Sequence, residues 1–94
     1  MEIKELKKKI ESTLKKNNVK KLSVFGSVAK REDKKGSDID LLVKFNGERS
    51  LIDLISLRID LENKLNRKVD LITYDSVSPL LKESIFRDEI KIYG

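Results

Sequence analysis

Between Asp38 and Phe45 the chain alternates without a slip. Ile39, Leu41, Val43 and Phe45 fall on one side of an extended segment, and Asp38, Asp40, Leu42 and Lys44 fall on the other. A period of two is the pattern of a strand that lays one face on a core. Such a strand needs sheet neighbours and an apolar layer beneath it, and the flanking segments are patterned to supply both. Ile3, Leu6, Ile10 and Leu14 recur at three- and four-residue steps, predicting an amphipathic helix that Asn17-Asn18 stops. Leu22 to Phe25 reads as a short strand ending at Gly26-Ser27, followed by a helical turn over Val28 to Lys30 and a polar loop from Glu32 to Gly36.

After Asn46-Gly47 breaks the alternating strand, Ser50 with Asp53 three residues on has the spacing of a helix N-cap, opening a helix to Leu65. Asn66-Arg67 then leads into a strand over Val69 to Thr73, with Val69, Leu71 and Thr73 on one face and Asp70 and Ile72 on the other. Ser78-Pro79 predicts a cap and first helical position for a last helix carrying Leu81, Ile85 and Phe86, and Ile90 to Tyr93 predicts a short edge strand. The expected fold class is therefore α+β, a small mixed β-sheet with helices packed on one face. At 94 residues the chain can bury one core and no second, so residues 1–94 are expected to form a single domain.

Composition narrows the chemistry. The chain has no Cys and no His. That removes disulfides, thiolate nucleophiles, thiolate zinc sites, imidazole ligands and every His-based acid–base device. What remains is carboxylates, hydroxyls, Lys, Arg, backbone amides and a hard metal ion. The balance of 21 Lys+Arg against 16 Asp+Glu is basic. The lysines are nevertheless spread along the chain among acidic residues, with only three Phe and two Tyr, rather than gathered in a stripe with interleaved aromatics. Nucleic acid is accordingly not expected as a direct ligand. No run approaches the roughly 18 apolar residues of a membrane span, and the first residues do not have the pattern of a signal peptide, so a cytoplasmic, soluble protein is expected.

The candidate chemistry lies in two clusters. Asp38 and Asp40 are alternate residues on one strand face, roughly 6.5–7 Å apart at Cα, close enough for two short carboxylates to converge on one ion. Oxygen donors without imidazole or thiolate select Mg²⁺ or Mn²⁺. Asp70 lies on the corresponding face of the next strand and joins them if the two strands pair near these positions. Three such carboxylates repel one another without metal, whereas two divalent ions would neutralise them and clamp the attacking and leaving oxygens of a phosphoryl displacement. Gly26-Ser27 ends a different strand, where close backbone approach, free N–H groups and a hydroxyl suit the outer phosphates of a nucleoside triphosphate.

The two stretches Val24-Phe25-Gly26-Ser27-Val28-Ala29-Lys30-Arg31 and Gly36-Ser37-Asp38-Ile39-Asp40-Leu41-Leu42-Val43, with Arg67-Lys68-Val69-Asp70-Leu71-Ile72-Thr73 downstream, resemble the minimal nucleotidyltransferases of the DNA polymerase beta superfamily. The resemblance covers almost the whole chain. It implies metal binding and catalysis at Asp38, Asp40 and Asp70, with two Mg²⁺ (or Mn²⁺) ions. Asp70 would stand beside the nucleophile, accepting its proton or holding its metal. The resemblance also implies ATP as substrate, with contact to the triphosphate at Gly26 and Ser27 and added positive charge at Lys30 and Arg31. Where the family often has Arg-Gly this chain has Lys30-Arg31, and Asn66 stands where a glycine is common; Asn also tolerates left-handed turns. Many members pair with a helical HEPN-type toxin and transfer AMP from ATP to its tyrosine, acting as antitoxin. Two other readings are a non-catalytic antitoxin that neutralises its partner by binding, and a nucleotidyltransferase acting on a small molecule or an RNA end.

Overall fold

A computed structural model describes residues 3–26 and 38–94. Helix α1 (Ile3–Lys16) leads into strand β1 (Val19–Phe25), and β2 (Ile39–Phe45) follows. Next come helix α2 (Leu51–Leu65), strand β3 (Val69–Thr73), a single 3₁₀ turn (Tyr74–Ser76), helix α3 (Lys82–Arg87) and strand β4 (Ile90–Tyr93). The sheet is mixed, in the order β3-β2-β1-β4. β1 runs antiparallel to both β2 and β4, and β2 runs parallel to β3. The α+β class and mixed sheet expected from the pattern are those observed.

Local chemistry explains the boundaries. α1 stops where Asn18 takes a left-handed φ of 57°, while the Asn17 side-chain amide donates back to the Thr13 carbonyl at 2.8 Å. α2 opens with a full capping box. The Asp53 N–H donates to the Ser50 hydroxyl at 3.3 Å, and the Ser50 N–H donates to the Asp53 carboxylate at 2.9 Å. The Ser50 hydrogen bonds, backbone first, hold the Asp53 carboxyl below the ordinary carboxylate range. α2 closes on Asn66 at φ 52°, the left-handed conformation that asparagine accepts in place of glycine.

Two boundaries differ from expectation. β1 starts at Val19 rather than Leu22, because a bulge between Val19 and Lys21 takes up Lys20 as the extra residue, so that Lys21 pairs with Lys44 and Val19 with Phe45. The last helix starts at Lys82, not at Pro79. The Ser78 hydroxyl accepts from the Leu80 N–H, and the Ser78 carbonyl accepts from Leu81 and Lys82, so Ser78-Pro79 builds a separate turn ahead of the helix. That turn leaves Leu80 93% exposed.

The core is one cluster between the sheet and the pair α1/α2. Leu6, Ile10 and Leu14 of α1 and Leu57, Leu61 and Leu65 of α2 meet Leu22 and Val24 of β1, Ile39, Leu41 and Val43 of β2, and Val69 and Leu71 of β3. The Asn17 amide also donates to Asp60 at 3.3 Å, tying the end of α1 to α2. On the opposite face of β1, the Ser23 hydroxyl shares a 2.7 Å hydrogen bond with the Tyr74 hydroxyl, and Phe86 of α3 lies against the Tyr74 ring at 6.0 Å between centroids. Tyr74 also donates to the Glu89 carboxylate. Burial and that bond to Glu89 push the Tyr74 hydroxyl well above its ordinary value, so it stays a donor. Burial raises Glu89, but hydrogen bonds from Tyr74 and Ser23 and the charge of Lys21 outweigh it and hold the carboxyl below the usual range.

Deleting a fully buried side chain should therefore cost far more than deleting an outward one on the same helix. Leu57→Ala is expected to lower unfolding free energy by about 2–5 kcal/mol. Ile52→Ala, at a site 77% exposed, should change it by no more than about 0.5 kcal/mol. Urea denaturation of the two variants checks the contrast.

Candidate active site

Register is what assembles the site. In the parallel pair β2/β3, Ile39 lies beside Val69 and Asp40 beside Asp70. Neighbouring strands are about 4.8 Å apart, so the two aspartates project from adjacent positions on the same face of the sheet. The pairing begins where the Ile39 N–H donates to the Lys68 carbonyl at 3.0 Å, which fixes the alignment of everything after it. A shift of one residue would send Asp70 to the helix-covered face and Val69 into solvent. Asp38, immediately before β2, is exposed, as is Asp70, whereas Asp40 is half-buried between them.

The electrostatics record the crowding. Burial first, then the negative charge of Asp70, then that of Asp38, push the Asp40 carboxyl above its ordinary value of 3.8. A fourth participant enters from β1. Gly26 ends that strand at φ 68°, and a Cβ placed there would run into the Asp40 carboxylate oxygen and come within 3.1 Å of its Cγ. Glycine is thus required twice, for the left-handed backbone and for the close approach of the chain to Asp40. Across the sheet the order is Asp70 on β3, Asp40 on β2 and Gly26 at the end of β1. The other residues expected to contact phosphate, Ser27, Lys30 and Arg31, lie outside the described residues.

The donor set fits a hard divalent ion. It consists of carboxylate oxygens alone, and the strained ionisation of Asp40 is what a bound cation relieves. Among the described residues, no group of three or more carboxylates closes tightly enough to cage an ion by itself. An incomplete protein shell suits Mg²⁺, which takes one or two carboxylates and fills its octahedron with water and substrate phosphate.

On the β3 side of the aspartates a cavity of about 700 Å³ opens, lined by Asp38, Asp70, Arg58, Glu62, Arg67 and Lys68 among others. The Glu62 carboxylate accepts the Val69 N–H at 2.9 Å, fastening the start of β3 to α2. Sequence reasoning passed over Arg58, Glu62 and Lys68. The signals were present: Arg67-Lys68 directly precede the Val69-Asp70 strand, and Arg58 and Glu62 are four apart, hence neighbours on one helix face.

Asp38, Asp40 and Asp70 at one end of the sheet, with Gly26 against the Asp40 carboxylate, suit phosphoryl-transfer chemistry, and the wider comparisons give the family. The sequence model of the family described as "Polymerase beta, Nucleotidyltransferase" matches residues 8–94, and the chain belongs to that family of nucleotidyltransferase enzymes. A Methanocaldococcus jannaschii protein named "Putative protein adenylyltransferase MJ0435" is 46% identical over 92 residues, covering 98% of this chain and 99% of that protein. A solved structure described as a "putative minimal nucleotidyltransferase" is similar with a TM-score of 0.79 at 33% identity, over 96% of this chain and 95% of the other. A crystal structure of a toxin–antitoxin with AMP-PNP is similar with a TM-score of 0.80 at 26% identity, over 94% of this chain and 73% of the other. No helix among the described residues is long and apolar enough to cross a membrane.

The raised Asp40 carboxyl has a consequence for stability. A carboxyl whose folded value exceeds its unfolded one favours the fold in its protonated form. That contribution is complete below the unfolded value and is lost as pH rises through the folded one. Near neutral pH the metal-free protein therefore carries an unrelieved repulsion at Asp40. Asp40→Asn should raise the metal-free thermal midpoint at pH 7, with the advantage shrinking as pH falls toward 4. Millimolar Mg²⁺ should narrow the gap by stabilising the wild type alone. Thermal melts of both proteins across pH and Mg²⁺ test this.

Proposed function

We propose that this nucleotidyltransferase moves AMP from ATP to a tyrosine hydroxyl of a helical HEPN-type toxin, and so acts as that toxin's antitoxin. The observation that carries the reading is the register of Asp40 against Asp70, with Asp38 two residues before and Gly26 against the Asp40 carboxylate. The protein acceptor is supported by the relative named as a protein adenylyltransferase and by the likeness to a toxin–antitoxin structure with AMP-PNP.

In the reaction the tyrosine oxygen forms a bond to the α-phosphorus of ATP, the bond to the β-phosphate oxygen breaks, and pyrophosphate leaves. Asp38 and Asp40 would hold Mg²⁺, or Mn²⁺ in its place, and Asp70 would complete a two-ion site. Bound there, the ions supply charge neutralisation for the phosphates and for the acceptor oxygen. Gly26 brings the backbone close to the β,γ-phosphates, with Ser27 adding its hydroxyl and Lys30 and Arg31 adding charge. Asp70, on the far side of Asp40 from Gly26, would stand beside the acceptor hydroxyl and take its proton or orient it. The order across the sheet supports this division of labour, with triphosphate on the β1 side and acceptor on the β3 side.

Two substitutions test this. Asp70→Asn should lower transfer by at least about 10²-fold while leaving AMP-PNP affinity within a few-fold, because it removes an interaction made at the acceptor oxygen. Asp38→Asn should lose both Mg²⁺-dependent nucleotide binding and transfer. Intact-mass spectrometry of the partner, with calorimetry for AMP-PNP, reads both. An Asp38→Asn chain that still neutralised its partner fully would favour neutralisation by binding alone.

A further inference from the structure

β3 is the last strand on its side of the sheet, so the backbone N–H groups along its outer edge meet no further strand. The first of them, on Val69, is nevertheless taken by a side chain: the Glu62 carboxylate of α2 accepts it at 2.9 Å. Glu62 stands on firm ground. Leu61 beside it and Leu65 three residues on are both packed in the core, which anchors this end of α2. The chain then reverses through Asn66 at φ 52°, and the hydrogen bond closes the seven-residue step from helix to strand.

The residue after Val69 is Asp70. On the inner edge of the strand the Lys68 carbonyl accepts the Ile39 N–H at 3.0 Å, so β3 begins between two ties, one to β2 and one to α2. The tie to β2 sets which residue lies beside Asp40, but it leaves an edge strand free to swing about that line. The tie to Glu62 comes from the opposite edge and from the helix layer, and it removes that freedom. Restraint is needed here, because Asp70 is exposed and sits beside a like-charged neighbour that repels it. An edge N–H can be satisfied by water, so the carboxylate is not required merely to pair it. What the side chain adds is a fixed attachment.

We infer that Glu62 is a positioning residue for the transfer reaction: by holding the Val69 N–H it fixes the place of the Asp70 carboxylate relative to Asp40. The inference rests on the proposed role of Asp70 at the acceptor hydroxyl, and extends it to a residue that acts through the backbone of β3. What counts is the reach of the side chain to that N–H, not its negative charge. Glutamine has the same reach and an oxygen that accepts, whereas aspartate keeps the charge and is one methylene too short. A reacting group misplaced by about 1 Å loses up to about 10²-fold in rate, so the effect falls on kcat. The triphosphate, proposed to lie on the β1 side of Asp40, is left undisturbed.

The experiment compares Glu62→Gln, Glu62→Asp and Glu62→Ala in the full chain, at a temperature well below the thermal midpoint of each, so that the folded fraction does not enter. Transfer of AMP from ATP with Mg²⁺ to the HEPN-type partner is followed by intact mass. Glu62→Ala and Glu62→Asp should lower kcat by about 10–100-fold with KM for ATP within about twofold, and Glu62→Gln should stay within about threefold of wild type. Adding Glu62→Ala to Asp70→Asn should cost no more than about a further twofold, because both act at one point. Amide hydrogen exchange of the metal-free protein gives a second readout: Val69 and Asp70 should exchange about tenfold faster in Glu62→Ala and Glu62→Asp, but not in Glu62→Gln, with the amides of α1 unchanged. Loss of activity in Glu62→Gln with retention in Glu62→Asp, full additivity with Asp70→Asn, or unchanged exchange at Val69 and Asp70 in Glu62→Ala would overturn the inference. A wild type that transfers no AMP would sink the transfer reading instead, and the exchange rates would still decide whether Glu62 holds Asp70 in place.

Discussion

The parallel pairing of β2 with β3 is the constraint from which the rest of the site follows. It sets Asp40 beside Asp70 and, in the same alignment, Ile39 beside Val69 on the covered face. One register thus satisfies both faces of the sheet. The hydrophobic layer fixes it, since slipping by one residue would trade Val69 and Leu71 for Asp70 and Ile72 in the core. Two backbone-level fastenings mark its start: the Ile39 N–H on the Lys68 carbonyl and the Val69 N–H on the Glu62 carboxylate. The apolar side of the sheet is what holds the acidic side together against its own repulsion.

That repulsion has a chemical consequence. A half-buried carboxylate flanked by two others favours whatever removes negative charge from the cluster, and a hard dication does so best. Gly26 adds the complementary half, because the absence of its side chain lets the end of β1 approach the Asp40 carboxylate. The molecule thus resolves into a layer of α1, α2 and the sheet core, and a second sheet face that carries Asp40 and Asp70. The Ser23–Tyr74–Glu89 cluster closes part of that face with a satisfied polar network, and no buried side-chain polar atom among the described residues lacks a partner.

Much of this was legible in the residues. Period-two alternation over Asp38 to Phe45 located β2 within one residue, and the Ser50/Asp53 spacing located the start of α2, because in both cases the signal is local and chemical. The bounds of β3 also matched. The late start of α3 was not legible: Ser78-Pro79 has the chemistry of a helix opening, yet the same serine serves a separate turn, and no nearby core residue decides between the two. The early start of β1 escaped because a bulge interrupts its alternation at the Lys20-Lys21 pair. For the site, the three aspartates and Gly26 could be named from spacing, whereas their meeting could not, since it depends on strand register across thirty residues of chain. Arg58, Glu62 and Lys68 were missed for the same reason. Their meeting around one cavity arises from where α2 lies against the start of β3, which no single segment encodes.

The central proposal is that Asp38, just before β2, Asp40 on β2 and Asp70 on β3 share one cation-binding locus. Paramagnetic line broadening tests it directly. Substoichiometric Mn²⁺ added to ¹⁵N-labelled protein should first extinguish the amide signals of Asp38, Asp40, Asp70 and Gly26 together, while those of α1 remain sharp. Broadening that spared Asp70 while affecting Asp38 and Asp40, or that was scattered among the other acidic residues of the surface, would contradict the account.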